Sequence, residues 1–220
     1  MVTGSNPDYS ASVRKNKAWE DTVLTPFTKW SGLRALPEGA NYLTLCGPMA
    51  APDRQGFAQG SELDRAVKSG LIQPHQFHGV ERDLNIHAQN LEAAEKLAVT
   101  ARPHLHHGEI VDYLNRAQGV HFAIVNLDCK RSAYSEANTL GRCLAALQYL
   151  PGPTMLVWNV AVTAPGRPTL LAERKEKLRK DHFLGRMLRD GGWEAIANPY
   201  TYKGARGAFK METVILARSP

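Results

Sequence analysis

The sequence predicts an α/β fold in which a mainly parallel sheet carries helices on both faces and ends in an antiparallel hairpin. Short apolar runs alternate with helical patterns along the chain, which is typical of βαβ units with right-handed crossovers. No helix fits between the last two strand candidates, at 193–202 and 210–218, so we expect them to pair antiparallel. The 220 residues are 43% hydrophobic, which suffices for a single buried core.

Seven runs with the length and composition of strands follow one another along the chain. They lie at 41–46, 76–80, 103–107, 121–127, 153–162, 193–202 and 210–218. One helical pattern lies between each consecutive pair of the first six runs. These patterns are at 60–69, 84–100, 110–117, 135–150 and 170–189. The run 121–127 (HFAIVNL) is the clearest buried strand and ends at Asp128.

The first part of the chain is expected to form an arm and a cap rather than part of the sheet. Residues 1–12 are polar and read as a loose arm. Residues 13–30 have helical spacing, with a break expected at Pro26. We therefore expect an N-terminal arm and helical cap over 1–39, followed by one α/β domain over 40–220.

Composition excludes several classes of protein. The net charge of +6 is a modest indication of polyanionic partners. Three cysteines without CxxC spacing exclude a disulfide scaffold and a zinc knuckle, and they fit a reducing cytoplasm. No apolar run reaches about 18 residues, and residues 1–12 lack the apolar stretch of a signal peptide, so we expect no membrane association.

Four strand ends carry chemistry that suits a nucleotide-like ligand. They are Leu45-Cys46-Gly47-Pro48, the acidic stretch Glu81-Arg82-Asp83, the turn His107-Gly108-Glu109, and Asn126-Leu127-Asp128. With this layout, about residues 40–220 resemble the class I S-adenosylmethionine-dependent methyltransferase family. The resemblance implies a Rossmann-like, seven-stranded sheet whose last strand inserts antiparallel beside the fifth.

The resemblance implies a binding site for S-adenosylmethionine at these strand ends. Cys46, Gly47 and Pro48 would flank its methionine part, where backbone must approach the ligand closely. The turn lacks the family's G-x-G-x-G glycines, and it equally lacks the G-x-G-x-x-G cradle of a nicotinamide dinucleotide. The resemblance also implies that Cys46 and Cys129 end adjacent strands. We expect their side chains to be small buried hydrophobic groups, with a functional thiol pair as the alternative.

Two acidic positions would hold the nucleoside. Glu81, with Arg82 beside it, corresponds to the residue that binds the ribose hydroxyls, because a carboxylate can accept two hydrogen bonds from a diol. Asp83 could take its place, and either carboxylate could instead cap the following helix. Glu109 would face the adenine amino group, with Asp112 as the alternative. Glu109 could instead have a structural role, as a carboxylate at the N-terminus of a helix.

The fourth strand end would face the reacting methyl group. Asp128 would act as a base or substrate anchor, with Asn126 two residues earlier on the same side of the strand. The Pro-Pro-Tyr that follows in many amino-methylating DNA enzymes is absent, which argues against their mechanism. Lys130 and Arg131 after this strand, and Tyr200 and Tyr202 before the final turn, are the expected substrate-binding residues.

The sequence also contains a histidine cluster and two groups of basic residues. His104, His106 and His107 could ligate zinc, but a surface turn is the better explanation, so we expect no metal. The basic residues of 167–189 suit a solvated helix. The basic residues at the strand ends, by contrast, favour an anionic substrate, and they are Lys130, Arg131, Lys203, Arg206 and Lys210.

The sequence therefore predicts an S-adenosylmethionine-dependent methyltransferase acting on an anionic substrate, most simply nucleic acid or a nucleotide. One alternative is a catalytically lapsed domain of the same fold that serves as a nucleic-acid-binding or assembly module. A third hypothesis is a nucleotide-binding α/β enzyme that performs another chemistry in the same crevice.

Overall fold

The computed structural model describes residues 13–53, 55–132, 141–143, 145–161, 185, 192–198, 200–203 and 210–219. Its strands are β1 (Ala40–Leu45), β2 (Phe77–Glu81), β3 (His104–His107), β4 (His121–Ser132), β5 (Thr154–Ala161), β6 (Glu194–Ala195), β7 (Tyr200–Lys203) and β8 (Lys210–Arg218). The helical segment expected over 170–189 falls outside the described residues, apart from residue 185.

The strands form one sheet in the order β3-β2-β1-β4-β5-β8-β6, with β7 also paired to β8. The strands β1 to β5 are mutually parallel, and β8 runs antiparallel to β5. The predicted fold class and the closing antiparallel pair are confirmed. The strand predicted at 193–202 is two short strands, β6 and β7, because Pro199 lies in this stretch and has no N–H for a ladder.

Helices cover both faces of the sheet. They are α1 (Val13–Trp19), a π-helical segment (Glu20–Leu24), α2 (Thr25–Ser31), α3 (Glu62–Lys68), α4 (Leu84–Glu95) and α5 (Ile110–Arg116). Residues 141–143 and 145–147 are also helical. None of these described helices has the length and apolar character that a membrane span requires.

The expected break at Pro26 does not occur. The π-helical segment leads directly into α2, and Pro26 lies in the first turn of that helix. The missing N–H of Pro26 is accommodated because this residue directly follows the π-helical turn, where the hydrogen-bond pattern of the helix changes. The N-terminal helices are therefore continuous over 13–31.

Two apolar layers hold the structure together. On the face we call the cap face, buried side chains of β1, β4 and β5 pack against the N-terminal helices and α3, as Tyr42, Ile124 and Met155 do with Val23 and Leu63. On the opposite face, alternate side chains of the same strands pack against α5 and residues 141–147. The carboxyl ends of β1 to β4 meet at one edge of this sandwich, where ligands bind in open α/β sheets.

Candidate active site

The turn after β1 is held by a buried side chain of α4. The amide nitrogen of Asn90 donates to the carbonyl of Gly47 at 2.7 Å. Its amide oxygen accepts from the backbone N–H groups of Met49 at 2.8 Å and Ala50 at 3.0 Å. Asn90 is 1% exposed, so these bonds are shielded from water. Sequence reasoning missed Asn90; the only signal was an amide within the predicted helix 84–100.

Two glycines shape the space around this turn. Gly47 has φ +54°, and a Cβ at that position would meet nothing within 4 Å, so the turn borders open space. On β2, a Cβ at Gly79 would lie 3.0 Å from the Cβ and Sγ of Cys46. Gly79 therefore makes room for Cys46. Pro48, which follows the turn, is exposed.

The Cys46 thiol is chemically quiet. Burial, followed by the charges of Glu81 and Glu62, raises its pKa to about 12. A thiol with that pKa stays protonated at neutral pH and is a poor nucleophile. Cys129 lies on β4, but its side chain is outside the described part, so the expected proximity of the two sulfurs stays a prediction.

The acidic residues after β2 have distinct local roles. Asp83 caps α4, with Oδ1 accepting from Asn85 N at 2.9 Å and Ile86 N at 3.2 Å. Glu81 Oε1 accepts from the backbone N–H of Asp83 at 2.8 Å. The capping explanation therefore describes Asp83, which leaves Glu81 as the half-buried carboxylate at the end of β2.

The loops after β2 and β3 touch one another. Arg82 Nη1 lies 3.5 Å from Glu109 Oε1, and both side chains are more than half exposed. The backbone N–H of Gly108 donates to Glu81 O at 3.0 Å. Glu109 precedes α5 without a side-chain capping bond, and Asp112 lies in the first turn of that helix. The predicted pair Glu81 and Glu109 is thus brought to one rim by main-chain and ion-pair contacts.

A chain of buried polar groups crosses the cap face. Thr213 of β8 donates to Asn159 Oδ1 of β5, and Asn159 Nδ2 donates to Asn126 Oδ1 of β4 at 3.3 Å. Asn126 Nδ2 in turn donates to Glu62 Oε1 at 2.6 Å. The Asn126 side chain is therefore bonded at both ends and is 4% exposed.

A second branch of the chain reaches the same carboxylate from β1. Trp19 Nε1 donates to Tyr42 Oη at 3.3 Å, and Tyr42 Oη donates to Glu62 Oε1 at 2.5 Å. Burial raises the pKa of Glu62, and the nearby charge of Asp128 raises it further, whereas its hydrogen bonds from Tyr42 and Asn126 lower it. Sequence reasoning missed Glu62, since nothing in the sequence marks a helix-start glutamate as the end of this chain.

Asp128 and the predicted substrate residues lie beyond this chain. Asp128 is exposed near the end of β4, at the register position of Asn159. Lys130 and Arg131 follow it on β4, and Tyr200 and Tyr202 lie on β7, but these four side chains are outside the described part. Their roles stay predictions.

Strands β4, β5, β7 and β8 run on past Asp128 as an extended end of the sheet. The backbone positions of Ser132, Ala161, Met211 and Tyr202 form one row across these four strands. In the next row Lys203 pairs with Lys210. Lys130 and Arg131 precede Ser132, so four basic residues fall within two positions of this row. Arg206 is outside the described residues.

The histidines of β3 form a ring-stacked edge. His78 of β2 stacks on His104 with ring centroids 4.4 Å apart, and its Nδ1 lies 2.5 Å from Tyr113 Oη. His106 lies beside Arg116 and His107 Nε2 lies 3.1 Å from Arg82 O. Within the described ranges, no group of three or more histidine, cysteine or acidic side chains is arranged to hold a metal ion.

Comparison with solved structures finds proteins of the same fold. An O-methyltransferase of Bacillus cereus in complex with SAH matches 97% of this chain and 84% of its own, with a TM-score of 0.55 and 13% identity. The chain has the class I methyltransferase fold. A protein of Klebsiella pneumoniae described as an O-methyltransferase matches 97% of this chain and 83% of its own, with a TM-score of 0.53 and 15% identity.

Two further solved structures are similar to this chain, but they do not indicate its substrate. A protein of Haemophilus influenzae described as a methylase shares the methyltransferase fold over 89% of each chain, with a TM-score of 0.50 and 13% identity. A Streptococcus pneumoniae protein described as a tRNA (m1A22) methyltransferase is covered over 66% of its length with a TM-score of 0.49, from which we infer nothing. No protein-family model and no curated protein matches the sequence itself.

Proposed function

We propose that this protein is an S-adenosylmethionine-dependent methyltransferase that acts on an anionic substrate, nucleic acid or a nucleotide. The observation that carries the proposal is the set of carboxylates at successive strand ends of this fold. Glu81 ends β2, Glu109 follows β3 and Asp128 lies near the end of β4. Ligands of open α/β sheets bind at that edge.

The residues present fit this cofactor. The position of a Cβ on Gly47 is open, which leaves room for the methionine part beside the backbone of Cys46 to Pro48. Glu81 would accept from the ribose hydroxyls, with Arg82 beside it, and Glu109 would accept from the adenine amine. When bound, the cofactor would supply an electrophilic methyl group, and Asp128 would anchor the substrate or accept its proton.

The anionic substrate is inferred from the extended end of the sheet. Its basic residues come from three strands, β4, β7 and β8, and lie just beyond Asp128 in the strand register. Clustered lysine and arginine residues bind nucleic acids mainly through the phosphate groups of the backbone. The same edge therefore offers a cofactor region and, next to it, a surface for phosphates.

Calorimetric titration with S-adenosylmethionine and S-adenosylhomocysteine tests the proposal. We expect binding in the micromolar range by the wild-type protein. Glu81→Ala should weaken binding of both ligands at least tenfold, because two hydrogen bonds to a charged acceptor are lost. Glu38→Ala, which removes an exposed glutamate before β1, is the matched control and should bind as the wild type does.

The lapsed-domain alternative has one observation in its favour. The turn after β1 lacks the family's glycines and is held by the Asn90 side chain. If the wild-type protein binds neither ligand, the methyltransferase proposal is wrong and the lapsed nucleic-acid-binding or assembly module becomes the function to test. The third hypothesis would then require binding of another nucleotide at the same edge.

A further inference from the structure

Glu62 presents one carboxylate oxygen that no described residue uses. Its Oε1 accepts from Tyr42 Oη at 2.5 Å and from Asn126 Nδ2 at 2.6 Å. Its Oε2 has no hydrogen-bond partner among the described residues, and the residue as a whole is only half-buried. The carboxylate is therefore fixed by one oxygen and free to bind a ligand with the other.

Within the described residues, no ion pair neutralises Glu62, although Arg65 acts on it electrostatically. The ion pairs found within the described ranges are Lys68–Asp64 and Arg82–Glu109. The charged or titratable groups that affect Glu62 are Arg65 on its own helix, Tyr42 on β1, Cys46 in the following turn and Asp128 on β4. Arg65 is the one cation in this set, and its Nη1 bonds to Asn16 instead.

A buried hydroxyl on the cap face of β1 also lacks a partner among the described residues. Thr44 is fully buried, and its Oγ1 has no hydrogen-bond partner in the described part of the chain. Thr44 pairs in register with Asn126 and lies two residues after Tyr42, so it shares the cap face with both side chains that hold Glu62. An orphaned buried hydroxyl is costly unless a ligand or water satisfies it.

The position of Glu62 relates it to the proposed cofactor. Its hydrogen-bond partner Asn126 pairs in register with Thr44, which lies two residues before Cys46. Cys46 begins the turn expected beside the methionine part of that cofactor, and the charge of Glu62 acts on its thiol. S-adenosylmethionine carries a sulfonium cation, whereas S-adenosylhomocysteine has a neutral thioether at the same atom. A fixed carboxylate that forms no ion pair among the described residues would interact with these two ligands differently.

We propose that Glu62 recognises the positive charge of the sulfonium cofactor, so that the site prefers the cofactor over its thioether product. The inference rests on the proposed function and adds a specificity-determining residue to it. Loss of the charge on methyl transfer would remove this attraction, which favours release of the product. Glu62 would thus set the order of affinities at the site rather than hold the shared parts of the two ligands.

Glu62→Gln is the sharpest variant. The glutamine oxygen can keep both hydrogen bonds from Tyr42 and Asn126, and only the free oxygen becomes an amino group. By calorimetry we expect S-adenosylmethionine to bind about tenfold more weakly and S-adenosylhomocysteine to change less than threefold. Retained binding of S-adenosylhomocysteine also shows that the site is still folded. Glu38→Gln, at an exposed loop position, is the control.

A measurement on the wild-type protein covers the case in which the variant does not fold. Because burial and Asp128 raise the pKa of Glu62, its charge is lost on acidification earlier than that of an ordinary glutamate. As the pH is lowered from 8 to 4, which lies below the ordinary pKa of a glutamate, we expect the affinity for S-adenosylmethionine to fall relative to that for S-adenosylhomocysteine.

The outcomes separate the two proposals. If the wild-type protein binds both ligands and Glu62→Gln alters both equally or neither, Glu62 does not read the charge and the inference is wrong. An affinity ratio that stays constant from pH 8 to pH 4 contradicts it as well. If the wild-type protein binds neither ligand, the proposed function itself fails, and this inference fails with it.

Discussion

The side chain of Asn90 fixes the turn after β1, where the family that the sequence resembles relies on the backbone freedom of several glycines. Its amide bonds to Gly47, Met49 and Ala50 and so fixes the path of the chain after β1. A left-handed residue is then needed only at Gly47, where φ is +54°. The turn can therefore contain Pro48 and Met49 and still leave open space next to its backbone.

We expect Asn90→Ala to lower the free energy of unfolding by about 2–4 kcal/mol, because three hydrogen bonds are lost and buried backbone groups stay unsatisfied. Urea unfolding measures this. Asn85→Ala changes an exposed asparagine on the same helix and should alter stability by less than about 0.5 kcal/mol. Equal effects of the two substitutions would show that the turn does not depend on Asn90.

The network at Glu62 shows what sequence reasoning could and could not find at this scale. The sequence predicts roles for Glu81, Glu109 and Asp128 because each follows a strand at a position that resembles a cofactor or substrate position of the methyltransferase family. Glu62 and Asn90 belong to helices and reach the edge only through tertiary contacts. Their partners, Asn126 and Gly47, are 64 and 43 residues away in the chain.

At the scale of elements, His78 joins four parts of the fold. From β2 its ring contacts Asn41 of β1 through Nε2 at 3.2 Å, Tyr113 of α5 through Nδ1, and the His104 ring of β3. Since the Asn41 amide nitrogen donates to His121 O, its oxygen is left to accept from Nε2–H. In the neutral ring, Nδ1 is then left to accept from the Tyr113 hydroxyl.

His78 should make the protein acid-sensitive. Burial, with a smaller effect of His104, lowers its pKa to about 3 in the folded state, against about 6.5 when unfolded. Below pH 6.5 the His78 ring binds a proton in the unfolded chain but not in the folded chain. The stability that this site contributes is therefore fully present above pH 6.5 and decreases as the pH falls towards 3. The loss approaches about 1.4 kcal/mol for each pH unit.

Unfolding free energies at pH 7.5, 6.5 and 5.5 check this expectation. His78→Gln cannot titrate, and its stability should therefore fall less steeply between pH 6.5 and pH 5.5 than that of the wild-type protein. His75→Gln, an exposed histidine in the turn before β2, serves as the matched change. Parallel curves for the wild type and His78→Gln would mean that the ring is protonated without penalty in the folded protein.

The elements themselves were largely predictable, with informative exceptions. Apolar runs such as 121–127 stand out because parallel strands are buried on both faces. The stretch 193–202 has the composition of one strand, yet two separate segments, β6 and β7, pair with β8. The sequence has a proline between them, at position 199, and proline has no N–H for a strand ladder. Pro26 predicted a break, but the π-helical segment shifts the helix so that the proline falls in a first turn.

For the whole molecule, charge is divided between two neighbouring regions. Glu62, Glu81 and Asp128 lie around the ends of β1, β2 and β4, while lysine and arginine residues gather at the extended end of the sheet. A cationic cofactor and an anionic substrate would each meet the opposite charge. The net charge of +6 therefore understates how strongly the two regions differ.

Salt dependence of nucleic-acid binding tests the basic region. We expect a fluorescein-labelled single-stranded 20-mer RNA to bind with an affinity that falls steeply from 50 to 200 mM salt. A variant with glutamine at Lys130, Arg131, Lys203 and Lys210 should bind at least tenfold more weakly at 50 mM. Its log–log salt slope should be shallower by about 2–3, since each lost phosphate contact contributes about 0.7.

A second fourfold variant controls for net charge. It places glutamine at Lys17, Lys29, Lys68 and Lys96, which are exposed elsewhere on the described surface. Fluorescence anisotropy should give this control an affinity close to that of the wild type. If both variants lose affinity equally, binding follows overall charge, and the extended end of the sheet is not the nucleic-acid surface.

The polar chain on the cap face has a consequence for how the sheet assembles. Thr213, Asn159 and Asn126 each lie on a different strand, and each donates to the next in one direction, towards Glu62. If β4 slipped by a single residue, Asn126 would turn to the opposite face, among the apolar neighbours of Leu127. The mispaired sheet would bury amides without partners, each at a cost of about 1–3 kcal/mol. The chain thus discriminates between correct and incorrect strand alignments, a selectivity that the apolar residues around it lack.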